Sequence, residues 1–363
     1  MLTSLENFWN HSPHPCLCQH SCVHARDYCN ICARAWNSAV LWRPIQGIIR
    51  PMDRKSLFRE AFFEKLRISP SENVPLSALS SFGIGGPADL FFEARTESEL
   101  EAAVSLAASE KYPYYVIGGG FNLLFDDAGY RGIIVRNRLD GVRREGHRLN
   151  VQSGTSLACV LSEAIEAGLA GLEFLAGIPG TVGGAVYGNA GAYGWSIGDV
   201  LETASLFSAS GGLRTASREE LGFGYRDSAL KRGAGIVLSA TLLCSPGDRR
   251  ESEARVRGIL EKRWAKHPPH GTACAGSYFK NCSSASGARV AAGQLLEQAG
   301  ARGLSVGDAA VSDVHCNFII NKGNARASDV LALAAELKER VYQMFSVRLE
   351  EEVIYLRADA SMS

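Results

Sequence analysis

The sequence predicts a mixed α+β protein built from several small layers, and three observations carry that prediction. From about residue 68 onward, segments with helical spacing alternate with short runs of β-branched and aromatic residues. Two glycine-rich stretches, 118–120 and 177–194, interrupt the alternation. The chain has 363 residues, 46% hydrophobic and 21% charged, enough material for two or three domains with their own cores.

Bulk properties exclude some function classes. With 38 basic and 38 acidic residues the formal net charge is zero, which argues against a broad nucleic-acid surface. No apolar run is long enough to span a bilayer, and the N-terminus lacks a basic start followed by an apolar stretch. A cytoplasmic location is expected. Cysteines in that compartment stay reduced, so Cys159, Cys244, Cys274, Cys282 and Cys316 read as free thiols.

Residues 1–51 differ from everything after them. They are rich in Cys, His and Trp and show neither helical nor strand period. Cys16, Cys18, Cys22, Cys29 and Cys32, with His20 and His24, imitate zinc ligands. The spacing matches no standard finger, and there is almost no aliphatic core to fold around an ion, so no metal site is assigned. The segment is expected to be a disordered or non-native extension, with a natural start at Met52.

The elements then follow in order. In "MDRKSLFREAFFEKLR", Leu57, Phe58, Ala61, Phe62 and Leu66 are placed on one helical face. Thr96 followed by Glu99 is a capping box, so a helix is expected over about 97–110. "YPYYVI" and "GIIVRN" read as strands, and "SLACVLSEAIEAGL" as an amphipathic helix. "ETASLFSA", "GIVLSATLLC" and "FIIN" are further strands. "ESEARVRGILEKRWAKH" is a charged helix that ends before Pro268 and Pro269. "VAAGQLLEQAG" is a helix closed by Gly300, "SDVLALAAELKERVYQMF" is the last long helix, and "LEEEVIYL" is the closing strand.

Several places carry chemistry. In "VIGGGFNLLFDD" a strand runs into Gly118, Gly119 and Gly120; these glycines either aim backbone amides at a phosphate or make a tight turn. "AGIPGTVGGAVYGNAGAYG" leaves little side-chain volume over a long span, so it is either a Gly-rich connector or backbone against which an extended ligand can lie. In "FGYRDS", Arg226 is either a two-pronged partner for an anion or one half of an exposed ion pair with Asp227. "LEEEVIYL" is either an edge strand kept soluble by charge or the source of a buried carboxylate, with Glu350 and Glu352 on one face and Glu351 on the other. In "CAGSYFKNC", Ser277 sits in a Gly-flanked turn. A nucleophilic serine needs a base, and the nearest histidines, His267 and His270, lie upstream of the stretch.

In this order, "SSFGIGGPADLFFEA", "VIGGGFNLLF", "GIPGTVGGAVYGNAGAYG", "FGYRDS", "AGSYFKN" and "LEEEV" resemble the UDP-N-acetylenolpyruvoylglucosamine reductases (MurB) over roughly 66–357. The resemblance implies an FAD-binding fold of the vanillyl-alcohol-oxidase type, made of two α+β subdomains over 52–140 and 141–265. A substrate-binding α+β domain over 266–357 and a tail over 358–363 complete the implied organisation, with the last strand able to return to the first subdomain. It implies non-covalent FAD, since neither loop carries His or Cys, with NADPH as co-substrate and UDP-N-acetylglucosamine enolpyruvate as acceptor. The cofactor positions it matches are Gly118, Gly119, Gly120, Asn122, Leu123, Pro179, Gly180, Thr181, Gly184, Ala185, Asn189, Gly191 and Ala192.

The resemblance also implies roles. Arg226 would stabilise the anion left by hydride addition, and Glu352 would be a carboxyl of raised pKa beside it. Ser277 would be a general acid that protonates the substrate. Tyr193, Lys266, Asn281 and His315 would contact the substrate nucleotide. Two departures stand out: Phe121 where relatives usually carry Ser, and Glu351 where they often carry Pro. The short span between Arg226 and Ser277 resembles the type II subclass, with a more open nucleotide cleft. Alternatives are another FAD-linked oxidase of the same superfold, or a non-catalytic nucleotide-binding regulator. The oligomeric state stays open, with a monomer favoured.

Overall fold

The computed structural model describes residues 53–283 and 289–359. The Cys- and His-rich segment 1–51, its zinc-like pattern and most of the tail lie outside the described residues.

The helix Arg54–Leu66 starts at Asp53, whose side chain accepts from the Ser56 amide at 2.7 Å. Phe58 and Phe62 are buried, but Leu57 is 54% exposed. It sits about 100° around the helix from Phe58, which takes it out of the apolar face expected to include it. The helix Glu97–Ser109 carries the capping box foreseen at Thr96 and Glu99. These helices cover a sheet ordered Ser71–Pro75, Pro87–Ala94, Tyr130–Asn137, Tyr114–Ile117, antiparallel in its first pair and parallel beyond. Phe58, Phe62, Leu100, Val104, Ile133 and Val135 close the core between them.

A second sheet is antiparallel throughout, ordered Gly212–Ser217, Leu201–Ser208, Ile236–Leu243, Arg148–Gln152, Val142–Glu145. Its core includes Leu157, Val160 and Leu161 from the helix Leu157–Glu166. It also includes Val182, Ala185 and Val186, and this departs from the expectation of open backbone over 177–194. Part of that run is a seven-residue helix, Val182–Gly188, capped by the Thr181 side chain. A small hairpin follows, Gly191–Ala192 against Trp195–Ser196. Glycine opposes helix in isolation, but apolar burial on one face and a good N-cap outweigh that preference here.

The C-terminal part holds a three-stranded sheet, Ser305–Val306, Ala309–Val311 and Ile319–Asn321. Helices Ala292–Gln298 and Ala327–Phe345 share its core, through residues such as Leu296, Val330, Leu337 and Val341. Gly300 follows the first of them at φ +70, the left-handed stop its position predicts. The last strand, Ile354–Leu356, lies parallel to Leu123–Phe125, directly after the first glycine loop. It is shorter than "LEEEVIYL" because residues 350–352 leave it and pair with 278–280. Among the described residues, no helix is long and apolar enough to cross a membrane.

Candidate active site

Arg226 lies in a turn closed by two backbone bonds between Gly224 and Asp227. Its φ is +54, a left-handed conformation that costs a side-chain-bearing residue about 1–2 kcal/mol. The buried side chain of Asn189 holds this turn: its Nδ2 donates to the Gly224 carbonyl at 2.7 Å while its Oδ1 accepts from the Gly198 amide. So turned, the guanidinium donates through Nη1 to the Gly191 carbonyl at 3.1 Å, and Nε lies 2.6 Å from Glu352 Oε1. The Nε–H is buried and does not point at an acceptor among the described residues, so the contact is an ion pair rather than a directed hydrogen bond. Asp227 pairs with Arg232 instead, at 2.7 Å, so the pairing within "FGYRDS" does not form.

Glu352 is the one carboxylate of "LEEEV" drawn inward. Its side chain is 19% exposed, against 75% for Glu350. Burial raises its pKa above the usual carboxyl range, while Arg226, Lys231 and Lys280 partly counter that. Its backbone N–H donates to the Tyr278 carbonyl at 2.8 Å, which sets Ser277 one residue from the position opposite it. Asn317, buried and missed by sequence reasoning, anchors the same stretch. Its backbone carbonyl accepts from the Tyr278 amide, its Oδ1 from the Phe279 amide, and its Nδ2 donates to the Phe279 carbonyl. Ser277 is half-buried, and among the described residues its hydroxyl makes no hydrogen bond. Three segments far apart in sequence, 224–227, 277–281 and 350–352, therefore meet.

The first glycine loop touches this centre. Asn122 Nδ2 donates to the Glu352 carbonyl at 3.0 Å, and the Asn122 carbonyl accepts from the Ile354 amide. A Cβ on Gly120, at φ +71, would meet the Leu79 carbonyl at 1.9 Å, and one on Gly118 would meet Thr181 Oγ1 at 2.4 Å. The two glycine loops are thus in contact through Gly118 and Thr181. The amides of Gly119, Gly120, Phe121 and Asn122 donate to no acceptor among the described residues. A bare loop with free N–H groups, packed against a second Gly-rich segment, suits the pyrophosphate of a dinucleotide. Phe121 is 42% exposed and its ring folds over Gly119.

The other expected cofactor positions divide by surroundings. Leu123 is buried in its strand, Gly180 holds φ +135, and Thr181 caps the helix through the Gly184 amide. Pro179 is exposed, and Gly191 and Ala192 form the small hairpin. The Ala185 side chain is buried in the core and its amide bonds to the Thr181 carbonyl, while both ends of the Asn189 amide are occupied. Both side chains are thus engaged within the fold.

The four expected substrate residues fall into two places. Asn281 accepts from the Ala292 amide through Oδ1, and its backbone donates to the Tyr225 hydroxyl, while Nδ2 has no acceptor among the described residues. Tyr193 is 50% exposed and stands in electrostatic reach of Arg263, a half-buried guanidinium that also feels the charge of Arg226. Lys266 is exposed beside His267, whose ring lies 5.8 Å from that of His315. Burial, then Arg263, pushes the His267 pKa down to about 4, so its ring is neutral at physiological pH. Sequence reasoning missed Lys231, Arg263 and the Arg289 cation 3.9 Å over the Tyr225 ring. Arg226, Lys231, Lys280, Arg263 and Lys266 make the region cationic in a chain of zero net charge, which favours an anionic ligand.

Comparisons with known proteins bear on the family of the chain and not on single residues. A profile described as the C-terminal domain of UDP-N-acetylenolpyruvoylglucosamine reductase matches residues 268–356, and one described as an FAD binding domain matches 88–217. The UDP-N-acetylenolpyruvoylglucosamine reductase of Clostridium botulinum strain Eklund 17B is 38% identical over 289 residues, covering 79% of this chain and 93% of that protein. The one from Solibacter usitatus is 40% identical over 305 residues, covering 80% and 97%. The crystal structure of the UDP-N-acetylenolpyruvylglucosamine reductase from Thermus caldophilus aligns with a TM-score of 0.67 at 37% identity, over 78% of this chain and 98% of that one. With both profiles in chain order and relatives of this identity matched over nearly their whole length, the chain belongs to the UDP-N-acetylenolpyruvoylglucosamine reductase family.

Proposed function

We propose that this chain reduces UDP-N-acetylglucosamine enolpyruvate to UDP-N-acetylmuramate for peptidoglycan synthesis, with Arg226, Glu352 and Ser277 acting on the enolpyruvyl group. The observation that carries the reading is the inward Arg226–Glu352 pair at 2.6 Å, one residue from the backbone register of Ser277 and tied to the glycine loop by Asn122. FAD is the cofactor, and when bound it would supply the hydride-transfer chemistry that links NADPH to the enol ether. The free amides of 119–122 and the Gly180–Gly184 segment would hold it.

The residues of this chain handle the charge and the proton. Adding hydride to the enolpyruvyl β-carbon leaves an electron pair at the α-carbon, delocalised into the carboxylate. Arg226 lies where a fixed cation can meet that charge, and a preorganised cation there costs no reorganisation during the step. Glu352, with its raised pKa, is suited to stand protonated beside the anion and donate a hydrogen bond. Ser277 delivers a proton to the α-carbon and is itself reprotonated from solvent. A serine hydroxyl is a weak acid, so it serves only because the carbanion is far more basic.

Asn281, Tyr193, Arg263 and Lys266 supply donors and positive charge for the diphosphate, and His315 faces the nucleotide. The cytoplasm, where the nucleotide sugar and NADPH are found, is the proposed location. The test is an anaerobic flavin spectrum. NADPH should bleach the yellow form, and the enolpyruvyl nucleotide should restore it with formation of UDP-N-acetylmuramate. Bleaching that only another acceptor reverses would point to a different oxidase of the same fold.

A further inference from the structure

Lys231 lies in the short turn Ala229–Arg232, five residues after Arg226. Its half-buried ammonium donates to the Arg226 carbonyl at 2.7 Å and stands 5.8 Å over the Tyr187 ring. No carboxylate among the described residues lies within ion-pair distance of it, although Asp227 and Glu352 are in electrostatic reach. Stability does not account for such a group: an apolar side chain of the same length would pack against Tyr187 without the cost of desolvating a charge. What the ammonium does hold is one atom, the carbonyl of a residue in a strained backbone conformation. That residue is Arg226, whose side chain is directed at Glu352 from this turn.

We propose that Lys231 is a positioning residue: through the Arg226 carbonyl it holds the left-handed turn that aims the guanidinium at Glu352. The proposal rests on the reading of Arg226 and Glu352 as the groups that meet the enolpyruvyl substrate. It has an electrostatic consequence as well. The charges facing Glu352 are Arg226, Lys231 and Lys280, and those facing Lys231 are Lys280, Asp227, Glu352 and Arg226. Removing the Lys231 charge takes away one of three cations that favour the ionised carboxylate. Glu352 then keeps its proton to higher pH.

The experiment compares wild type, Lys231→Met, Lys231→Arg and Arg226→Met as purified flavoproteins, each reduced with NADPH and mixed anaerobically with UDP-N-acetylglucosamine enolpyruvate over a range of pH. Lys231→Met should slow flavin reoxidation roughly tenfold or more, leave flavin content and the NADPH step near wild type, and move the alkaline limb of reoxidation to higher pH. Lys231→Arg, which keeps the charge and a donor, should restore most of the rate and the limb. A Lys231→Met protein with wild-type rate and wild-type limb overturns the proposal. So does a loss spread equally over flavin content and both half-reactions, which is what a packing role would give. Arg226→Met reoxidising as fast as wild type overturns the underlying reading of the site instead. Should Lys231→Met yield no soluble flavoprotein, Lys231→Gln takes the same test, since it also removes the charge.

Discussion

Two adjacent glycines in the first loop should respond very differently to one methyl group. At Gly120 an added Cβ lies 1.9 Å from the Leu79 carbonyl oxygen, and the residue holds φ +71. Alanine there meets backbone that cannot swing aside and adds a conformational cost of about 1–2 kcal/mol. Ordinary van der Waals contact needs more than 3 Å, so the loop must move by over an ångström, and its free amides move with it. Losing even two amide–phosphate bonds of about 1.5–3 kcal/mol each is worth a hundredfold or more in affinity. At Gly119 the Cβ meets only the ring of Phe121, at 2.6 Å, and that ring is 42% exposed and free to turn outward. We expect Gly120→Ala to be isolated without flavin and to bind added FAD at least about a hundredfold more weakly. Gly119→Ala should stay yellow, within about fivefold of wild type. The assay is fluorescence titration of the apo-protein with FAD, with thermal unfolding of both variants measured alongside. Equal FAD affinity of the two variants would refute the claim that these amides form the pyrophosphate cradle.

Other outcomes follow from the same geometry. Arg226→Met, which removes the cation 2.6 Å from Glu352, should slow reoxidation by the enolpyruvyl nucleotide by about 10²–10³-fold, the loss typical of a missing charge-stabilising donor, while NADPH still bleaches the flavin; stopped-flow of each half-reaction checks it. The Glu352 pKa is raised by burial, so a step that needs the protonated carboxyl runs fully below that pKa and fades as pH rises through it. Glu352→Gln, neutral at every pH, should lose that alkaline limb, and a pH–rate profile that keeps it would assign the limb to another group. The same raised pKa predicts that Glu352 lowers fold stability as pH rises from the unfolded carboxyl range through the folded pKa. Chemical denaturation of wild type and Glu352→Gln across that window measures it.

Much of the fold was legible because its signals are local. The Thr96–Glu99 capping box and the Gly300 stop are each decided within a few residues, and the structure carries both. The helix Val182–Gly188 was hidden because its stability comes from burial of Val182, Ala185 and Val186 against a sheet contributed by other segments. Glu350, Glu351 and Glu352 were assigned to the closing strand, yet they pair with 278–280, a partner 70 residues away that no local pattern names. The catalytic candidates carried motif signals, whereas Asn317 and Arg263 carried none. Asn317 acts by bonding a distant backbone, and Arg263 is one cation in a charged helix until folding buries it beside Tyr193. Lys231 did leave a trace, a lysine five residues after Arg226, but its meaning appears only once the Arg226 carbonyl is seen to face it.

We propose that Ser277 carries a protonation step separate from flavin reduction. The measurement that tests it most directly is a double-mixing experiment on Ser277→Ala. The flavin is first reduced with one equivalent of NADPH, then mixed with UDP-N-acetylglucosamine enolpyruvate, and both flavin absorbance and UDP-N-acetylmuramate are followed in a single turnover. Reduction should run at the wild-type rate, followed by product formation slowed at least about a thousandfold, the scale of a lost general acid with an unstabilised carbanion behind it. Product formed at the wild-type rate would contradict it and send the proton to another donor.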